Sequence, residues 1–294
     1  MDFESLKKSS SNFDAITKAL ETKMTPENQQ SNNKYQDDRL WKPELDKTGN
    51  GYAVLRFLPA SNGEEMPWQR VWTHAFQDKG GWFIENSLTT LNQKDPVSEE
   101  NTRLWNTGID SDKDIARKRK RKLSYYANIF VVSDPKHPEN EGKVFLYKFG
   151  KKIFDKITEA MQPAFEDEAA INPFDFWKGA NFKLKIRKVD GYWNYDKSEF
   201  ESVSALADSD EKIKTTWSSQ HALKPFLAAD NFKTYEELKE KLHRVLSGAR
   251  KTETVAVADL PPTTNGSVKS STNSPVASDD DDTMSYFSKL AEDE

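Results

Sequence analysis

The stretch SYYANIFVV (124–132), followed across SDPKHPENEG by KVFLYKF (143–149), decides the fold. Alternation puts Tyr125, Ala127, Ile129 and Val131 on one face of the first run, and Tyr126, Asn128, Phe130 and Val132 on the other. In the second run Phe145, Tyr147 and Phe149 share a face. The Pro- and Gly-bearing segment between them supplies the turn, so the pair reads as a β-hairpin.

Working outward, YAVLRFL (52–58), WQRVWTHAF (68–76), GWFIENSL (81–88) and NFKLKIRKV (181–189) also favour strands. Within the body, helical periodicity is confined to KKIFDKITEAM (151–161) and KTYEELKEKLHRVLSG (233–248), the latter closed by a glycine. The expectation is a mainly β chain with a few helices (α+β), built on an antiparallel sheet or barrel.

Five zones follow. Residues 1–23 read as a short amphipathic helical arm with Phe13, Ile16 and Leu20 on one stripe, and 24–39 form a polar linker. The body spans 40–248. Residues 249–278 are rich in Ser, Thr, Pro and Asn, a composition expected to stay disordered. Residues 279–294 form an acidic tail.

Composition narrows the function classes. The chain lacks cysteine, so disulfides and thiolate metal sites are excluded, and its four histidines show no HxxH spacing. No window approaches the roughly 18 apolar residues of a membrane span, and the N-terminus has no signal-peptide apolar segment, so a soluble protein is expected. Phosphate-loop, dinucleotide and nucleophile-elbow motifs are absent, and the carboxylates of FEDEAAINPFD (165–175) read as a solvated loop. No catalytic residue, metal or cofactor is expected. The net charge of −5 hides an asymmetry: residues 279–294 carry −6, so residues 1–278 sum to +1.

Against that near-neutral body, six consecutive cations, Arg117 to Lys122, precede Ser124, Tyr125 and Tyr126. Lys148, Lys151 and Lys152 lie beside Tyr147, and GYWNYDK clusters Tyr192, Trp193 and Tyr195 after a cationic strand. The outward Lys183, Lys185 and Arg187 of that strand read as a solvated face. Rings interleaved with cations suit single-stranded nucleic acid, because bases stack on aromatics and cations follow phosphates. An OB-fold barrel is one architecture that offers such a groove. A nuclear signal would make the same basic run a flexible loop beside buried tyrosines, and a metal-dependent nuclease stands further off.

RKRKLSYYANIFVVSDPKHPENEGKVFLYKFGKKIFDKI (119–157), with WKPELDKTGNGYAVLRFLP (41–59), WKGANFKLKIRKVDGYWNYDKSEF (177–200) and NFKTYEELKEKL (231–242), closely resembles the T4-type bacteriophage single-stranded DNA-binding protein family. The resemblance implies an OB-fold core with an added subdomain forming a DNA cleft, and cooperative, sequence-independent coating of single strands in replication, recombination and repair. Single-stranded RNA binding, as a translational repressor, is the alternative for the same cleft. The resemblance assigns Tyr125, Tyr126, Tyr147, Tyr192 and Tyr195 to the cleft, with Trp193 adjacent. Lys120, Arg121, Lys122 and Ser124 match the family's basic-plus-hydroxyl motif. Lys7, Lys8, Ser9 and Ser10 match its N-terminal repeat for head-to-tail self-association. The tail, through Asp279, Asp280, Asp281, Asp282, Phe287 and Leu290, would recruit phage replication and recombination proteins, in the cytoplasm of an infected bacterial host.

The family's structural zinc is held by one histidine and three cysteines. Here His74 matches the histidine, but Ser87, Asp95 and Ser98 stand where the cysteines would. The expectation is a zinc-free subdomain closed by apolar packing of Trp72, Trp82, Leu88, Leu91 and Trp105, with DNA contacts in 88–116 left unassigned.

Overall fold

The computed structural model describes residues 37–165, 167–189 and 191–248; the expected N-terminal arm, most of the linker and the acidic tail lie outside them. Nine strands form one sheet: β1 (Leu40–Trp41), β2 (Gly51–Phe57), β3 (Trp68–Asp78), β4 (Gly81–Asn86), β5 (Lys122–Ser133), β6 (Val144–Phe149), β7 (Ala180–Val189), β8 (Tyr192–Asn194) and β9 (Glu199–Val203). The main path runs β1-β6-β5-β2-β7-β8, with β9 also on β7. β5 organises it. One edge pairs with β6, while the other pairs with β3 over Lys122–Ala127 and with β2 over Ile129–Ser133. Among the described residues no pairing joins β1 to β8 or β9, so the hydrogen-bonded order stays open rather than closing a barrel.

The alternating residues of β5 face a common core with Leu55 and Phe57 of β2 and with Phe182, Leu184 and Ile186 of β7. Helix α3 (Lys151–Met161) adds Ile153, Ile157 and Met161. Phe57 sits at the centre, its ring 5.5 Å from Phe149, 5.7 Å from Phe174 and 5.8 Å from Phe182. The β5–β6 turn is fixed by Asp134, which accepts from Trp41 Nε1 (2.8 Å) and Asn140 Nδ2 (3.2 Å).

Arg56 breaks the alternation. It is fully buried in β2 and donates to Asn181 Oδ1 (3.0 Å), Ser204 O (2.9 Å) and Asp175 O (3.3 Å). Burial pulls its pKa down to about 10. Gly179 is required beside it, because a Cβ there would stand 2.6 Å from the guanidinium and 2.2 Å from Asp175 O.

The expected helices over 151–161 and 233–248 form α3 and α5 (Tyr235–Ser247). α5 opens on a Thr234–Glu237 capping box and ends at Gly248, φ 74°. Three further α-helices correct the two-helix reading: α1 (Pro96–Asn106), α2 (Asp110–Lys118) and α4 (Asp210–Ser218). The expected loop of 165–175 also needs correction at one end: Asp175 is buried and accepts from the Trp177 and Lys178 amides.

β3, β4, α1, α2 and α5 make a subdomain. Phe76, Phe83, Leu88 and Val97 pack there against Leu238, Leu242 and Val245 of α5. The approach is close at Gly80, whose amide donates to Val245 O at 2.7 Å. Glu85 of β4 pairs with Lys233 and Lys241, and Tyr235 Oη donates to Glu99 of α1 at 2.6 Å.

Candidate nucleic-acid interface

The six-cation run is folded, with each member in a different role. Arg117 and Lys118 end α2; Arg117 pairs with Asp114 (2.5 Å), and its guanidinium lies 5.4 Å over the Trp105 ring. Arg119 is only 13% exposed and bonded to Asp78 at 2.6 Å. Lys120 bridges to the strand, Arg121 lies 4.3 Å over Trp72, and Lys122 opens β5. A flexible loop, the requirement of the nuclear-signal reading, is therefore not what this run forms. Burial, and after it the neighbouring Arg121, hold the Lys120 ammonium below its usual range; burial likewise lowers Arg121.

The five tyrosines divide. Tyr125 is buried, stacked on Phe154 at 3.9 Å and 7° and on Phe149 at 5.7 Å; burial pushes its pKa up to about 12. Tyr147 is buried too, edge-on to Trp41 at 5.3 Å and stacked on Phe149 at 5.4 Å. Both rings pack into the core in this structure and leave little of their surface open to solvent. The cause is register: both point to the face that carries Ala127, Ile129 and Phe149.

Tyr126 points the other way and is half-buried, with Phe226 stacked on it at 4.2 Å and Lys148 Nζ 5.8 Å from its centroid. Lys148 is its cross-strand neighbour and is exposed. Burial, then the charge of Asp37, lifts Tyr126 to about 12, so it stays a neutral stacking surface at physiological pH. Phe226 was not singled out from sequence; it comes from the irregular HALKPFLAAD segment, where neither period marks it.

Ser124 sits half-buried on β5 opposite Val71, and Lys152 is half-buried on α3. Lys151 pairs with Asp155 at 2.6 Å. Tyr192 (47% exposed), Trp193 and Tyr195 lie at the β7–β8 hairpin, three strands from β5 in the sheet order. Trp193 carries Lys188 at 5.7 Å on its ring and lies on Gly49, whose φ of 87° and tight space both demand glycine. The structure thus brings Tyr126 to Lys148, and Lys120 and Arg121 to Trp72 and Trp105, with the hairpin rings as a separate group.

Three of the four β7 cations are ion-paired. Lys183 pairs with Glu201 (2.9 Å), Lys185 with Glu199 (2.7 Å) and Arg187 with Asp196 (2.5 Å).

At the four family zinc positions the chemistry is different. His74, Ser87 and Asp95 are all at most 1% exposed. His74 Nε2 lies 3.0 Å from Asp95 Oδ1, and Ser87 Oγ donates to Asp95 Oδ2 at 2.9 Å. The Leu88, Val97 and Ser98 amides also donate to that carboxylate, which caps α1. Burial alone would raise Asp95; bonding and charge from His74, with the Ser98 amide and Ser87 hydroxyl, outweigh it and hold the group well below the usual carboxylate range. Both carboxylate oxygens are committed to these donors and two hydroxyls cannot replace thiolates, so the residues do not fit a tetrahedral zinc. The expected closure is corrected accordingly. Leu88 and Leu91 are buried, but Trp82 (50% exposed) and Trp105 (40%) are not, and Trp72 lies half-buried under Arg121.

A family model described as gp32 DNA binding protein like matches residues 49–246. The single-stranded DNA-binding protein of Enterobacteria phage T2 is 42% identical over 223 residues, covering 73% of this chain and 72% of that protein. Its namesake in Enterobacteria phage T4 is 41% identical over the same coverage, and that of Enterobacteria phage RB70 is 39% identical over 95 residues, 31% of this chain and 78% of its own. These relatives are binding proteins, not enzymes. With a match across most of the folded body and this level of identity, the chain belongs to the gp32 DNA binding protein like family.

Proposed function

We propose that this protein binds single-stranded DNA without sequence preference, coating strands during phage DNA replication, recombination and repair in the cytoplasm of an infected bacterium. One observation carries the reading: Tyr126, on the outward face of β5 with Lys148 above it, lies on the strand that the half-buried Lys120 and Arg121 lead into. Rings for bases and cations for phosphates meet on one strand and its entry. The relatives' shared name, single-stranded DNA-binding protein, supports the same ligand. Stacking is tolerant of base identity because every base has a π-face.

The finer organisation belongs to this proposal: an OB-fold core (40–248) functioning without zinc, an arm (1–23) whose Lys7, Lys8, Ser9 and Ser10 engage the next subunit on DNA, a linker (24–39), and a disordered linker (249–278) leading to the tail (279–294). Asp279–Asp282, Phe287 and Leu290 of that tail contact phage replication and recombination proteins. Among the described residues no helix is long and apolar enough to cross a membrane.

Titration with single- and double-stranded DNA and single-stranded RNA of equal length, followed by tryptophan fluorescence, tests the reading. Tight, salt-sensitive quenching by single-stranded DNA is expected. Equal affinity for duplex would contradict it, and preference for RNA would move the function to the alternative class.

A further inference from the structure

The loop between β2 and β3 is laced by hydrogen bonds to the segment that follows α4. Gln220 Nε2 donates to Pro59 O at 2.6 Å. Glu64 Oε1 accepts from the Leu223 amide at 2.5 Å and from the Lys224 amide at 2.9 Å. The Glu64 amide donates to Ser61 O at 3.1 Å, so Ser61 and Glu64 stand at the two ends of one turn. Beside them, Asn128 of β5 exchanges two 2.8 Å hydrogen bonds with the His221 backbone. Among the described residues, three buried oxygens of this lacing have no hydrogen-bond partner: Ser61 Oγ, Glu64 Oε2 and Gln220 Oε1. Ser61 and Glu64 are each only 7% exposed. Among the same residues no lysine, arginine or histidine side chain pairs with the Glu64 carboxylate, whose bonds are to backbone amides.

We propose that these oxygens form a binding site for an alkali cation, which Glu64 Oε2, Ser61 Oγ and Gln220 Oε1 hold between the β2–β3 loop and the segment after α4. A buried carboxylate without a counter-charge is strongly destabilising, and buried oxygens without donors add to the cost. One cation relieves all three at once. Alkali ions are held where protein oxygens replace their hydration shell. The charge count selects the class: one carboxylate with two neutral oxygens supplies a single negative charge, which a monovalent ion balances and a divalent ion would exceed. With neither nitrogen nor sulfur among the donors, the set does not match a transition metal. The ion pins the segment that sets Phe226 on Tyr126, because the Phe226 amide donates to Leu223 O at 3.0 Å. This site is a ligand of the fold itself and is independent of the single-strand-binding reading.

Thermal unfolding of the full-length protein at equal ionic strength tests it, in potassium chloride, sodium chloride and tetramethylammonium chloride, whose bulky cation cannot be coordinated by the three oxygens. The midpoint should stand about 4 °C higher in an alkali salt, the shift that an ion at about ten times its Kd gives a chain of this size. The larger of the two alkali shifts names the preferred ion. Glu64→Gln keeps an oxygen for the two amides but removes the charge, and Ser61→Ala removes one ligand; both should lose the alkali shift. Hydrogen exchange of the Leu223 and Lys224 amides in the unaltered protein should slow by about tenfold in the same alkali salt, a readout that no variant's folding can disturb. Equal midpoints in the three salts, or an alkali shift undiminished in both variants, would overturn the site, and so would equal exchange at those two amides. Strand binding is measured separately, and its failure would leave this site standing.

Discussion

The two halves of the molecule are held by different physics. Beneath the main sheet, Phe57, Phe149, Phe174 and Phe182 crowd one another, and Tyr125 and Tyr147 join them. In the subdomain, a smaller apolar cluster shares the interior with three buried polar side chains, His74, Ser87 and Asp95. The first region buries one cation, Arg56, among its strands, whereas in the second several hydrogen bonds converge on one carboxylate. A buried carboxylate accepting from a ring, a hydroxyl and three amides is stable only while all the donors remain in place. In this region one aspartate ties β3, the turn after β4 and the start of α1 together.

The largest effect should come from breaking the apolar side. Phe57→Ala removes the central ring and is expected to cost about 4 kcal/mol, read from the denaturant midpoint. Asp95→Ala should cost about 3 kcal/mol, by leaving buried donors unpaired. Its losses should appear first in hydrogen exchange of β3, β4 and α1; uniform loss across the main sheet would erase the distinction between the regions.

Alkaline pH sharpens the comparison on the aromatic side. Tyr125 ionises near pH 10 when unfolded but at about 12 in the fold, so its contribution is fully present below pH 10 and is lost as pH rises towards 12. A decline of about 2 kcal/mol across that window is expected, and Tyr125→Phe should flatten it; an unchanged decline in the variant would contradict burial of this ring. The smallest expected effect is that of a chelator. EDTA should leave the thermal midpoint unchanged and metal analysis should find no stoichiometric zinc; a lowered midpoint would mean that the polar cluster is not what closes the subdomain.

Much of this was legible in the residues. Period-two alternation located the strands and assigned Tyr125 to the same face as Ala127, Ile129 and Val131. That assignment already implied its burial. Helices α1 and α2 were missed because SEENTR and DSDKDIARK lack a broad apolar stripe. Asp95–Pro96 did carry an N-terminal capping signal. Burial of Arg56 inside a strand, and the stacking of Phe226 on Tyr126, depend on long-range partners that no local pattern encodes. The ion pairing of β7 was partly readable, since Glu199 and Glu201 alternate opposite its lysines.

The central claim is that phosphates follow the Lys120–Arg121 run and not the ion-paired β7 stripe. Salt dependence of oligothymidylate affinity tests it most directly, with the unaltered protein compared to Lys120→Ala/Arg121→Ala and Lys183→Ala/Lys185→Ala. Each phosphate left without its cation should flatten the log–log slope by about 0.7, so the first double variant should lose about 1.4 and the second almost nothing. An unchanged slope in the first, or an equal loss in the second, would contradict the account.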